Sequence, residues 1–214
     1  MSARETILAR IRRSAKAEGD RAANVRARLS GAAQPLTPRQ GQTAGEERTL
    51  QFIAKAESVD ATVTRLARLD DLPAALAEEL RNRNLPAAIR TGEDPAFDRD
   101  WGTVERTKGT GRIEEPATLS RAPLAMAETG TLVLASGPEN PVTLTFLGET
   151  HFVVIRESDI QAGFEDMWAE FRNRGLDPRT VNMVTGPSRS ADIGQRLQLG
   201  AHGPVALHVF VVGE

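Results

Sequence analysis

Cysteine is missing from all 214 positions. Its absence excludes disulfides, cysteine-ligated zinc, thiolate-held iron–sulfur clusters and a cysteine nucleophile within this chain. Histidine is scarce. His151, His202 and His208 are the full set, none has a close carboxylate pair, and no metal-ligand signature results. No stretch approaches the roughly 20 apolar residues of a membrane helix, and no apolar core of a secretory signal follows Met1. Three acidic residues among the first 28 argue against an organelle transit peptide. The expectation is therefore a cytoplasmic protein with no membrane partner. Neither sign of charge prevails, at 27 Lys and Arg against 29 Asp and Glu, so the total offers a nucleic-acid partner no support. There is no GxSxG elbow, no Walker A loop and no GxGxxG turn.

What is present is ordinary for a globular chain, with 40% hydrophobic and 26% charged residues, enough to bury one core. The charge is uneven. Residues 1–28 hold eight Arg or Lys against Glu5, Glu18 and Asp20, or +5, which leaves −7 for the rest. Leu8, Ile11, Ala15, Ala22, Val25 and Leu29 recur at 3–4 spacing, interrupted at Glu18 and Gly19, and predict one amphipathic helix over 1–29. So thin a stripe needs a surface to lie on, which makes this helix a candidate contact for another chain or for a homo-oligomer. Residues 30–45, broken by Pro35 and Pro38, read as a linker, and 46–214 as the main domain.

Helix and strand patterns alternate from residue 46. Helices are expected over 46–57, 72–83, 157–174 and 190–199. Strands are expected over 61–66, 86–90, near Val104, and over 124–128, 131–136, 151–155, 180–185 and 206–212, with a Pro-bounded segment at 142–147. Strongly apolar short strands between helices predict an α/β fold: an open, mostly parallel sheet with helices on both faces, plus a helical N-terminal extension.

Two segments concentrate chemistry. In AMAETGTLVLASGPENP (125–141), Glu128 precedes a Thr129-Gly130-Thr131 turn, and Ser136-Gly137-Pro138 makes a second. Glu128 is a candidate general base, nucleophile or ligand acceptor; the alternative is a turn acid bonded to the amides of residues 130 and 131. In VNMVTGPSRSADIGQRLQLGAHGP (181–204), a strand enters Gly186-Pro187-Ser188-Arg189-Ser190 ahead of an expected helix. Free amides, hydroxyls and a guanidinium there form a competent anion site, while Ser188 or Ser190 as a plain helix cap is the other reading. His202, on a glycine-flexed loop, is the best acid–base candidate. His151 and His208, in apolar strands, are expected to be structural.

The blocks AETGTLVL (127–134), SGPENP (136–141), TGPSRSADI (185–193) and LGAHGP (199–204) ahead of LHVFVV resemble the LUD, or lactate-utilization, domain family, most specifically over 120–212. The resemblance implies a fold of the NagB/RpiA/CoA-transferase kind. It also implies a part in a three-component system converting L-lactate to pyruvate, in which partner subunits carry iron–sulfur clusters and this chain holds no cofactor. No catalytic residue carries over. An accessory or regulatory subunit of that system and a small-molecule enzyme or sensor binding a carboxylate or phosphorylated metabolite at Gly186–Ser190 both remain open.

Overall fold

The computed structural model describes residues 2–14, 20–30, 37–113, 115–193, 196–200 and 202–213, with the side chains of 14 and 190–199 outside the description. It divides into two compact units, Met1–Leu36 and Thr37–Glu214.

The first unit holds α1 (Ala3–Ser14) and α2 (Arg21–Ser30) in place of one continuous helix. Local capping explains the restart. The Ser2 hydroxyl accepts from the Glu5 amide at 3.3 Å while the Glu5 carboxylate accepts from the Ser2 amide at 2.7 Å, a reciprocal capping box for α1. The Asp20 carboxylate then accepts from the amides of Ala22 and Ala23 at 2.9 and 3.2 Å and caps α2. Ala15, a member of the expected stripe, and Glu18 and Gly19, which interrupt it, lie outside the described residues. Ile7, Leu8, Ile11, Val25 and Leu29 are exposed.

The second unit runs α3 (Gly45–Glu57), β1 (Thr62–Leu66), α4 (Leu72–Asn82), β2 (Ala88–Thr91), β3 (Glu105–Lys108), β4 (Ala117–Arg121), β5 (Leu124–Met126), β6 (Thr131–Ala135), α5 (Val142–Phe146), β7 (Thr150–Arg156), β8 (Ile160–Gln161), α6 (Phe164–Asn173), β9 (Val181–Val184), β10 (Arg189–Ile193), β11 (Arg196–Leu199) and β12 (Ala206–Val212). Six strands make an open sheet in the order β1-β12-β7-β4-β2-β3, and every pairing in it is parallel. Four more make a second sheet, β8-β5-β6-β9, with β5 and β6 an antiparallel hairpin.

Period-2 alternation gives β7 and β12 two apolar faces, as a strand buried on both sides needs. Phe152, Val154, Phe210 and Val212 meet Leu72, Leu76 and Leu80, the one-turn-spaced stripe of α4. On the other face, Val153, Ile155, Val209 and Val211 meet Phe52 and Ala56 of α3 with Leu132 and Leu134 of β6. The second sheet is covered in turn by Met167 and Phe171 of α6, against Leu124, Met126 and Val133. Each fully buried side chain of this size contributes about 1.5–3 kcal/mol, so these three clusters dominate the stability.

Several segments depart from expectation. β4 lies at the middle of the main sheet, although its Ala-Thr-Leu-Ser-Arg run shows no apolar alternation. The 142–147 segment is a short helix. Residues 157–174 do not form one helix: Ile160 and Gln161 pair with Ala125 and Met126, and α6 starts only after Gly163. The described residues of 190–199 are not helical either but form two antiparallel strands, Arg189 opposite Leu199 and Ser190 opposite Gln198. A glycine at position 194 of the sequence costs a helix about 1 kcal/mol relative to alanine, and Arg196-Leu197-Gln198-Leu199 carries the strand period.

Candidate functional site

Gly186 follows β9 with φ +75°, a backbone state that glycine adopts freely, and an added Cβ would fall 2.3 Å from the Val59 carbonyl oxygen. That turn aims Pro187 and Ser188 back over the sheet. The Ser188 amide donates to the Pro204 carbonyl at 2.9 Å, the Gly200 amide to the Ser188 carbonyl at 3.1 Å, and the His202 amide to the Ser188 hydroxyl at 3.4 Å. Ser188 thereby staples the loop after β9 to the loop before β12. With the ends of α5 and the start of β7, these loops enclose a cavity of about 250 Å³.

Gly186, Ser188, Arg189 and His202 all line this cavity; the side chain of Ser190 lies outside the described residues. The expected helix start is absent, so no helix-terminal row of amides serves an anion here. Arg189 is also engaged, its guanidinium meeting the carboxylate of Asp60, which sits at φ +63° on the turn after α3.

Two other residues bring unsatisfied polarity to the wall. His151, fully buried, places Nε2 3.0 Å from the Ser120 hydroxyl, and its Nδ1 has no hydrogen-bond partner among the described residues. The buried hydroxyl of Thr145 has none there either. Both residues line the cavity. Buried polar groups are almost always paired, so these two atoms, without partners among the described residues, set this wall apart. Burial pushes the His151 imidazole down to about 3, leaving it neutral at physiological pH. His151 was expected to be structural, and its only sequence signal was a polar residue opening the run His-Phe-Val-Val-Ile. His208 stays apart from the cavity, its Nδ1 2.7 Å from the Thr62 hydroxyl.

The Thr-Gly-Thr turn reaches the cavity indirectly. Thr129 and Thr131 hydroxyls are 2.7 Å apart, and Thr131 is 2.6 Å from the hydroxyl of Thr185, which lines the wall. Gly130, at φ +68°, lets the turn pack on the end of α3, where a Cβ would stand 2.4 Å from the Ala56 nitrogen. Glu128 does not line the cavity. Its carboxylate accepts from Gln40 at 3.4 Å and lies against the backbone of Gly41 and Gly163. The amides of residues 130 and 131 are not its partners. The cavity also sits at the amino ends of parallel strands, with His151 second in β7 and Leu207 second in β12. Ser136-Gly137-Pro138 lies at the opposite, carboxyl end, beside Arg121 of β4.

The family model for the LUD domain matches residues 116–212, the span from β4 to β12 that contains every residue of the cavity wall. Residues 116–212 therefore resemble the LUD domain. An uncharacterized protein of Neisseria meningitidis serogroup B is 33% identical to it over 160 residues, 65% of this chain and 64% of its own length. Lactate utilization protein C of Geobacillus sp. (strain WCH70) is 37% identical over 95 residues, 42% of this chain and 39% of its own length. This chain thus spans less than two thirds of either relative. Lactate utilization protein C of Halalkalibacterium halodurans is 27% identical over 173 residues, covering 72% and 74% of the two chains. A DUF162 family protein from Deinococcus radiodurans, 20% identical in its crystal structure, shares the fold over 80% of this chain and 99% of its own, with a TM-score of 0.63.

Among the described residues, no group of three or more His, Asp or Glu is placed to hold a metal ion, and no helix is long and apolar enough to cross a membrane.

Proposed function

We propose that this chain is the cluster-free component of an L-lactate utilization system and works in the cytoplasm beside iron–sulfur subunits. The observation that carries this reading is the similarity of its LUD domain to lactate utilization protein C from several bacteria. The absence of cysteine is consistent with clusters held elsewhere in the system. The test is L-lactate oxidation by the assembled system with and without this chain. Loss of turnover or of assembly on its omission is expected; full oxidation by the remaining subunits would refute the role.

A second reading concerns what the chain itself does, and the two unpaired polar atoms of the cavity wall favour it. In it the cavity receives a small carboxylate metabolite of lactate size. Thr145 and His151 hydrogen-bond it, and Ser188 and Arg189 close the loop side. A neutral His151 contributes a directed hydrogen bond without a charge to desolvate. Calorimetric titration with L-lactate and pyruvate tests this. Binding that Thr145→Val weakens severalfold supports the reading, and the absence of heat with either acid at millimolar concentration removes it.

A further inference from the structure

The carboxyl end of the parallel sheet holds a separate groove of about 620 Å³, at the edge where open α/β sheets generally bind ligands. Its floor is built tightly. Gly92, just past β2, approaches the Glu139 backbone so closely that a Cβ would lie 2.0 Å from that carbonyl oxygen, and the Glu93 amide donates to the Pro138 carbonyl at 3.0 Å. Asp94 is buried to 3% exposure, accepting from the Ala96 amide at 2.9 Å and from Arg121 Nε at 2.7 Å. That pairing fixes the Arg121 guanidinium at the end of β4. It leaves the two terminal nitrogens without a hydrogen bond among the described residues, the carboxylate of Glu139 standing 4.0 Å away.

Asn140, only 6% exposed, lines the same groove. Its amide nitrogen donates to the Ala135 carbonyl at 3.3 Å, and its buried Oδ1 has no partner among the described residues. The groove therefore holds an unfilled planar donor, and in its wall lies a buried acceptor without a partner among the described residues. Its lining carries four carboxylates, from Glu93, Asp94, Glu139 and Asp177, against two guanidiniums. One of those two, Arg174, is already engaged by Glu170, Asp159 and the Pro123 carbonyl. A hydroxy acid satisfies the donor and the acceptor but adds negative charge to a wall that is already net negative, which costs affinity. A zwitterion meets both groups without that penalty. Pro123, Leu176 and Pro178 supply an apolar side.

We propose that this groove binds a free α-amino acid with an apolar side chain, its carboxylate on Arg121 and its ammonium on Asn140 Oδ1 and the nearby carboxylates. The site is independent of the cavity at the other end of the sheet.

The test is calorimetric titration of the full chain with L-leucine and with its hydroxy-acid analogue, L-2-hydroxy-4-methylpentanoate, which differs only at the ammonium. L-leucine is expected to bind at least tenfold more tightly, and Arg121→Gln to weaken it at least tenfold, the scale of a charge-assisted hydrogen bond. Because that variant leaves Asp94 buried without its partner, a thermal melt accompanies it. If it does not fold, the double variant Glu93→Gln/Glu139→Gln, altered at two exposed side chains, decides by losing most of the preference for L-leucine. No binding of L-leucine at millimolar concentration, equal or tighter binding of the hydroxy acid, or binding indifferent to these substitutions would overturn the proposal.

Discussion

Replacing Gly130 by alanine probes the packing that ties the Thr-Gly-Thr turn to α3, and its magnitude follows from two separable costs. At φ +68° an L-residue pays about 1–2 kcal/mol for the left-handed conformation. The new Cβ would also stand 2.4 Å from the Ala56 nitrogen and 2.7 Å from the Lys55 carbonyl carbon, both backbone atoms. Backbone cannot rotate aside, so the turn or the end of α3 must move, at about 1–3 kcal/mol for overpacking of this kind. The sum is about 2–5 kcal/mol, or roughly 5–20 °C in melting temperature for a chain of this size. Gly175 supplies the control. It has φ +62° but nothing within 4 Å of an added Cβ, so Gly175→Ala should lose only the conformational part, about 1–2 kcal/mol. Urea unfolding of both variants beside the parent measures the difference. Equal losses at the two positions would refute the argument that close approach to α3 is why residue 130 is glycine.

Three further outcomes are expected. Burial pushes His151 and His208 down to about 3, with Arg83 adding to the effect at His208. Their folded pKa values lie below the unfolded value, so the associated stability is fully present above about pH 6.5 and is lost as pH falls toward 3; going from pH 7.5 to 5.5 should cost about 2–3 kcal/mol. A urea midpoint unchanged between those two pH values would contradict neutral buried imidazoles. Thr145→Val removes a buried hydroxyl that has no partner among the described residues, so the ligand-free protein should melt at the same temperature or slightly higher; a loss above about 1 kcal/mol would mean the hydroxyl is already paired. Asp60→Asn keeps a residue type that tolerates positive φ and releases Arg189. Carboxylate affinity at the cavity, measured by titration with pyruvate, should then rise up to about fivefold, the worth of an exposed ion pair, and a fall would show that Arg189 is no ligand contact.

The parts of the fold legible in the sequence were those whose own period declares them. The α4 stripe Leu72-Leu76-Leu80 and the unbroken apolar runs of β7 and β12 announce a covered helix and strands buried on both faces, hence a parallel sheet. β4 was missed because Ala-Thr-Leu-Ser-Arg owes its burial to neighbours. Thr118 donates to the Leu144 carbonyl at 2.7 Å and Ser120 meets His151, so polar side chains sit inside a core that satisfies them. Residues 190–199 misled because Ser and Asp at a segment start suit a helix cap as well as a turn. The partners that decided the matter are strand neighbours, Arg189 with Leu199.

For the site, glycines, hydroxyls and His202 could be placed in a loop from sequence alone, since those residue types have few other uses in such a run. Which of them share a wall could not. His151 joins Gly186, Ser188 and His202 only because β7 and β12 are adjacent and parallel, an arrangement of residues more than thirty positions apart. Glu128 leaves that company because β5 and β6 belong to a second sheet, which turns its carboxylate toward Gln40, Gly41 and Gly163. By itself the sequence determined the α/β class, the resemblance to the LUD domain and the absence of thiolate chemistry, because composition, local period and short motifs are properties of neighbours along the chain. Only the tertiary structure decided that the two small-residue turns serve opposite ends of the sheet, and which polar atoms are left without partners, because both depend on strand order and on contacts between distant residues.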